Sequence, residues 1–256
     1  MKQTMKYLSI AALVAVGAIM MGCNKLDIVT EQTQQEEEPV ISNTVTLTTT
    51  VSLDAATKAL TSGGVKTFAV AEQMALVYKN TSGTTVKAVS AALTAGDIAS
   101  GSKSATFTFE LTDPDRSENV TYIYPAAMAN SDGTVNYDAL ATQNGTLATL
   151  SSSLDLATKT SAWNAGSLPA ATLENQLAIL ALTLKNSTGS SDITSSITGL
   201  TLSDGTKTYN VTREAVAGPI YVAIYPTADA TIMVTATDGT KNYTKTLTGK
   251  TYAKGN

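Results

Sequence analysis

The 256-residue chain contains no histidine and a single cysteine, Cys23. Without imidazole, the Ser-His-Asp and Cys-His nucleophile arrangements are absent, and so is the commonest zinc ligand. One thiol cannot close an internal disulfide, so the fold must be held by buried area alone. Neither G-x-x-x-x-G-K-[ST] nor G-x-G-x-x-G occurs, which removes the usual phosphate-cradling loops. Aromatic residues are scarce, with three Phe and one Trp beside ten Tyr. A carboxylate pair for glycoside hydrolysis needs only two acids, yet the acids here fall mostly in turns and in a polar N-terminal stretch. The expectation is a protein that is not an enzyme and that takes no cofactor and no metal.

Basic residues are also few, 17 Lys and Arg against 21 Asp and Glu. A mildly acidic chain lacks the concentrated basic face that nucleic acid requires, so no nucleic-acid partner is expected.

The N-terminus reads as an export signal. Lys2 and Lys6 precede an uncharged, mostly apolar run over 7–22, which at 16 residues is shorter than the roughly 20 that span a bilayer as a helix. Ile19-Met20-Met21-Gly22-Cys23 resembles the bacterial lipobox, in which a small residue precedes a cysteine that is acylated and becomes the mature N-terminus. Met20 and Met21 stand where that motif usually has leucine and alanine or serine. The reading is a signal peptide over 1–22, cleavage between Gly22 and Cys23, and lipidation of Cys23, giving a protein held on the outer membrane by its palmitate-type anchor. Cleavage there removes two lysines and no acid, shifting the formal charge from −4 to −6.

Residues 23–43 read as a flexible tether, rich in Gln and Glu and carrying the run Glu36-Glu37-Glu38. Such a segment buries too little to offset its ordering entropy, and the three glutamates read as a solvated run rather than a cation site.

Beyond it the composition turns toward strands, with 43 threonines in the chain, a β-branched residue that suits a pleated, half-buried surface. In "TVTLTTTVSL" Val45, Leu47, Val51 and Leu53 share one face, a one-sided strand of period two. Further strands are expected near 68–78, 105–111, 120–124, 177–185, 200–202, 209–212, 220–225, 231–237 and 241–248. "LAILALTLK", 177–185, is apolar on both faces and is expected to be a central strand covered on both sides. Asp132-Gly133, Asp204-Gly205 and Asp238-Gly239 supply tight-turn chemistry, the last as a two-residue loop between the equal arms "TIMVTAT" and "TKNYTKTL". In 144–157, Leu147, Leu150 and Leu154 are spaced for one face of a short helix. The stretch 158–175, containing the lone Trp163 and Pro169, reads as a connection, with Trp163 as a plug between domains and a sugar-stacking role as the alternative. "TDPDRSEN" gathers Asp113, Asp115 and Glu118 in one loop, read as a hydrated turn before a calcium site. The fold class is all-β, two tandem antiparallel sandwiches over 44–163 and 173–256 joined by a linker at 164–172.

Taken in order, "TKAL" and "KTFAVAEQMALVY" (57–78), "YIYPA" (122–126), "QNGTLATLSSSLDLATKT" (143–160) and the closing 218–256 resemble the fimbrillin-like surface lipoproteins of Bacteroidales. That resemblance implies two β-sandwich domains, a lipid-anchored precursor, a place on the cell outer membrane or in a fimbrium, and a role in assembly or adhesion. It implies other fimbrial subunits as partners, joined by strand exchange after a protease trims the N-terminal strand, here 45–53. Trimming in similar proteins follows an arginine, whereas the first arginine here is Arg116; Lys58 and Lys66 are the basic residues close behind the strand, and Lys58 is the candidate maturation site. Similar sequences run one strand beyond "YAKGN", so either the sequence is cut short at Asn256 or the last domain lacks its closing strand. A surface glycan-binding module built on exposed aromatics is the alternative function.

Overall fold

Strands form where the alternation is cleanest. β1 (Thr44–Leu53) lies antiparallel to β4 (Ser104–Thr112) over nine residue pairs, from Thr44 opposite Thr112 to Ser52 opposite Ser104. Threonines line the outward face, while Val51, Leu53, Ala105, Phe107, Phe109 and Leu111 are buried beneath it. This is the one-sided pattern of an antiparallel pair with one wet face. The structure is a computed structural model and describes residues 43–53 and 67–255. All of these belong to one compact unit.

Half of the first sandwich is a run of four antiparallel strands. β2 (Ala75–Lys79) pairs with β3 (Thr85–Val89) and β5 (Asn119–Tyr124), and β5 pairs with β7 (Ala157–Ala162). β8 (Ala171–Asn175) joins this group to the other, antiparallel to β7 and parallel to the last three residues of β1. The seven strands run β3-β2-β5-β7-β8-β1-β4. Side chains of β2 and β5 alternate between two cores: Leu76, Tyr78, Val120, Tyr122 and Tyr124 enter the first, while Ala75 and Ile123 enter the second. One sheet therefore serves both cores.

The second core is closed by a five-stranded sheet and a two-stranded one. β6 (Thr142–Gln143), β10 (Gly199–Ser203), β11 (Thr208–Thr212), β13 (Thr227–Thr237) and β14 (Asn242–Tyr252) are ordered β14-β13-β10-β11-β6. β9 (Ala178–Leu182) and β12 (Ile220–Ile224) pair only with each other. The helical turn Leu147–Thr149, capped by the Thr146 hydroxyl accepting the Thr149 N–H at 3.3 Å, continues through Leu150–Leu154. Leu150 and Leu154 are buried, so the helical spacing of the leucines marks a face that packs.

The chain visits its cores out of sequence order. Met128, Leu140, Leu150 and Leu154 pack in the second core, after which Ala157, Leu168, Ala171 and Leu173 return to the first before Leu177 leaves it. Residues 171–175, read as connector and domain start, are thus a strand of the first sandwich.

Two expectations are corrected. The stretch 177–185 is not a central strand covered on both faces: β9 has one paired neighbour, with Ala178 and Leu180 buried and Ala181 exposed. An apolar run records affinity for burial but not how many strands lie beside it. The Asp238-Gly239 hairpin forms with a wider loop, since Thr237 faces Asn242 rather than Thr240. One Asp238 carboxylate oxygen accepts the Thr240 and Lys241 N–H groups at 2.9 and 2.6 Å, which fixes a four-residue turn.

Candidate functional site

Gly22, Cys23, the Glu36-Glu37-Glu38 run, Lys58 and Lys66 lie outside the described residues. The loop at 113–118 spends its carboxylates locally. Asp113 accepts the Asn43 N–H at 2.7 Å, and Asp115 accepts the Ser117 N–H and hydroxyl at 2.9 and 2.7 Å. Those Ser117 bonds hold the Asp115 carboxyl below its ordinary range. Among the described residues no three metal-ligating side chains converge.

Trp163 follows β7 and packs, half-buried, against the first core rather than plugging a seam between two. The exposed guanidinium of Arg116 lies over its ring, 5.7 Å from the centroid. A different aromatic group reaches the surface. Tyr137, 38% exposed, stacks on Tyr225 with centroids 4.7 Å apart, and the Lys207 ammonium sits 2.9 Å from the Tyr225 centroid. Burial, helped by Tyr137, Tyr209 and Asp138, pushes the Tyr225 hydroxyl up to about 12.

β1 has the build of an inserted strand. Its partly buried Val45 and Leu47 and buried Val51 and Leu53 rest on the first core. The buried Thr49 hydroxyl donates to the Pro169 carbonyl at 2.7 Å, an oxygen that also accepts the Tyr122 hydroxyl at 2.8 Å. On its other edge only residues 51–53 meet β8.

A concavity lies at the second core. A groove of about 840 Å³ opens between the end of β9 and the β13–β14 hairpin. Leu182 and Leu184 form one wall; Val234, Tyr243 and Leu247 form the other. Val234 on β13 is buried, whereas Tyr243 and Leu247 on β14 are half-buried, so the outer strand of the hairpin is the less covered one at this end. Among the described residues β14 has β13 as its one strand partner, which leaves its outer edge unpaired beside the groove. Lys185 and Lys245 stand on the lining, which carries no Asp or Glu. At the other end of β9, Gly255 donates its N–H to the Leu177 carbonyl at 3.0 Å and the Lys254 ammonium donates to the Gln176 side chain at 2.6 Å.

This arrangement can take up an extended segment: main-chain donors and acceptors along a free edge, and an apolar trough for alternate side chains. Strand spacing in the sequence signalled β9 and β14 but not the groove, whose two walls come from distant parts of the chain.

No family model and no curated protein matches the chain. Among solved structures it is similar to a fimbrial assembly protein from Parabacteroides distasonis, at 11% identity and a TM-score of 0.43 over 84% of this chain and 88% of that one. It is similar also to a candidate cell-adhesion protein from Bacteroides fragilis, at 13% identity and 0.40 over 81% and 86%. A third similarity is to a fimbrial protein from Bacteroides ovatus, at 16% identity and 0.32 over 84% of this chain and 48% of that one.

Proposed function

We propose that the chain is a fimbrillin-like cell-surface subunit, exported, lipid-anchored through Cys23 and joined to neighbouring subunits by β-strand exchange. The observation that carries this reading is the groove between the end of β9 and the β13–β14 hairpin, with the outer edge of β14 unpaired beside it among the described residues. A free edge beside an apolar trough is an incomplete sheet, and a donor strand completes it through main-chain bonds and alternate side chains. The ordered resemblance of 57–78, 122–126, 143–160 and 218–256 to the fimbrillin-like lipoproteins supports it. β1 is the strand that trimming near Lys58 would release, freeing the edge of β4 and taking Val51 and Leu53 out of the first core.

Mass spectrometry of fimbriae sheared from the source cells tests the assembly role: peptides of this chain are expected in the polymer. Recovery solely as a membrane-bound monomer would count against it. The anchor is tested by feeding cells a palmitate analogue, with labelling expected for the native chain and lost in Cys23→Ser.

A second reading, a surface glycan-binding module, draws on the exposed Tyr137 stacked on the half-buried Tyr225 in place of Trp163. It expects glycan-array signals that Tyr137→Ala removes.

A further inference from the structure

The same groove has an electrostatic character that the strand-exchange reading leaves unused. Its trough is apolar, through Leu184, Tyr243 and Leu247, and its only charged lining residues are Lys185 and Lys245. Both lysines are exposed and neither forms a salt bridge among the described residues. Lys185 stands opposite Asp192 in the turn after β9 and, behind the Thr194 hydrogen bonds, helps hold that carboxyl below its ordinary range, but Asp192 is not on the groove lining. The bias extends along β14 and the residues after it: Lys245, Lys250 and Lys254 are all exposed, and no Asp or Glu occurs from 239 to 256, the hairpin's acids Asp229 and Asp238 lying before it.

We infer that the groove selects its donor by charge, taking an extended acidic segment of a neighbouring subunit, with alternate apolar residues in the trough and carboxylates flanking them against Lys185 and Lys245. The inference rests on the strand-acceptance reading and adds the chemistry of the partner to it. Main-chain pairing and alternate apolar contacts are shared by any donor strand, so they supply affinity without choosing among donors. Like charge set against the lysines penalises the wrong donor, and opposite charge favours the right one.

The test uses the purified full chain and two fluorescein-labelled peptides with one alternating core, EEVTVTLTVEE and KKVTVTLTVKK, followed by fluorescence anisotropy. The acidic peptide is expected to bind about five-fold or more tightly at low salt, the effect of two rim ion pairs. The gap should close in 1 M salt, where the screening length is about 3 Å. In K185E/K245E, whose replaced side chains are exposed and leave the core untouched, the order should reverse. Equal binding of the two peptides, or an order unchanged in K185E/K245E, overturns the charge selection while leaving strand acceptance in place. Failure of both peptides to bind overturns strand acceptance and the charge selection together.

Discussion

Gln143 carries the polar balance of the second core. Its amide is buried, donates to the Leu140 and Ala223 carbonyls at 2.8 Å each, and accepts the Ala223 N–H at 2.9 Å. One side chain thereby substitutes for a missing strand partner beside β12. Gln143→Ala strands three buried backbone groups, and each unsatisfied group costs about 1–3 kcal/mol. A loss of about 3 kcal/mol or more is expected in urea unfolding, well beyond the effect of a surface substitution. Tyr122 and Tyr124, both buried in the first core and both raised above the ordinary phenol range, make its stability depend on pH, and Tyr122 is the simpler of the two. Burial pushes its hydroxyl up to about 12, opposed only in part by the polar Thr49 side chain beside it. The folded state thus keeps a proton that the unfolded chain releases near pH 10. The associated stability is intact below about pH 10 and is lost as pH rises toward 12, by up to about 2 kcal/mol. Melting curves between pH 9 and 12 should fall less steeply for Tyr122→Phe than for the native chain. Neither role could be read from the sequence, because a glutamine among threonines and one of ten tyrosines carry no mark of what they will touch.

Strands, by contrast, were largely legible, and the exceptions have physical causes. β1, β4 and the β10–β11 and β13–β14 hairpins lie where period-two alternation placed them, since a sheet with one wet face writes its burial into the chain. The expected strand at 68–78 begins only at Ala75. Before it the chain loops so that Phe68 sets its ring edge-on to Phe107 and Tyr124, at 5.3 and 5.2 Å. A buried aromatic in a loop looks like a strand residue to any periodicity argument. Asp132-Gly133 was expected as a turn and is one, but it does more than reverse the chain. Gly133 has φ +83°, and a Cβ there would stand 2.6 Å from Val77 Cγ1, so the turn is seated against β2. Gly133→Ala adds strain at positive φ to a collision with a β-branched side chain. It should cost at least about 1–2 kcal/mol by denaturant titration, whereas the same change at Gly205, φ +85° with nothing nearby, carries the conformational part alone.

At the scale of the molecule, a division into two successive sandwiches and the interleaved path actually taken make different demands on cooperativity. Residues 126–156 leave the first core for the second and β7 and β8 come back, while β2 and β5 present one face to each core. The groove was hidden from the sequence for a related reason: Leu182 and Leu247 are far apart in the chain, and no local pattern records that the end of β9 and the outer strand of the hairpin will stand on either side of it. Loss of packing in the second core should therefore propagate through the shared sheet to the first. Trp163, the only tryptophan, packs against the first core and reports on it by fluorescence. Leu202 is 1% exposed in the second core, and Leu202→Ala should remove about 2–5 kcal/mol there. If the sheet couples the cores, the Trp163 emission transition in urea moves to lower denaturant together with the far-ultraviolet circular dichroism transition, and the two stay superimposed. If the halves fold independently, the emission transition stays where it is in the native chain while the dichroism curve splits. The first outcome is expected, because Ala75 and Ile123 pack with Leu202 in one core while their neighbours Leu76 and Tyr122 lie in the other, and a strand cannot lose one face and keep the other in place.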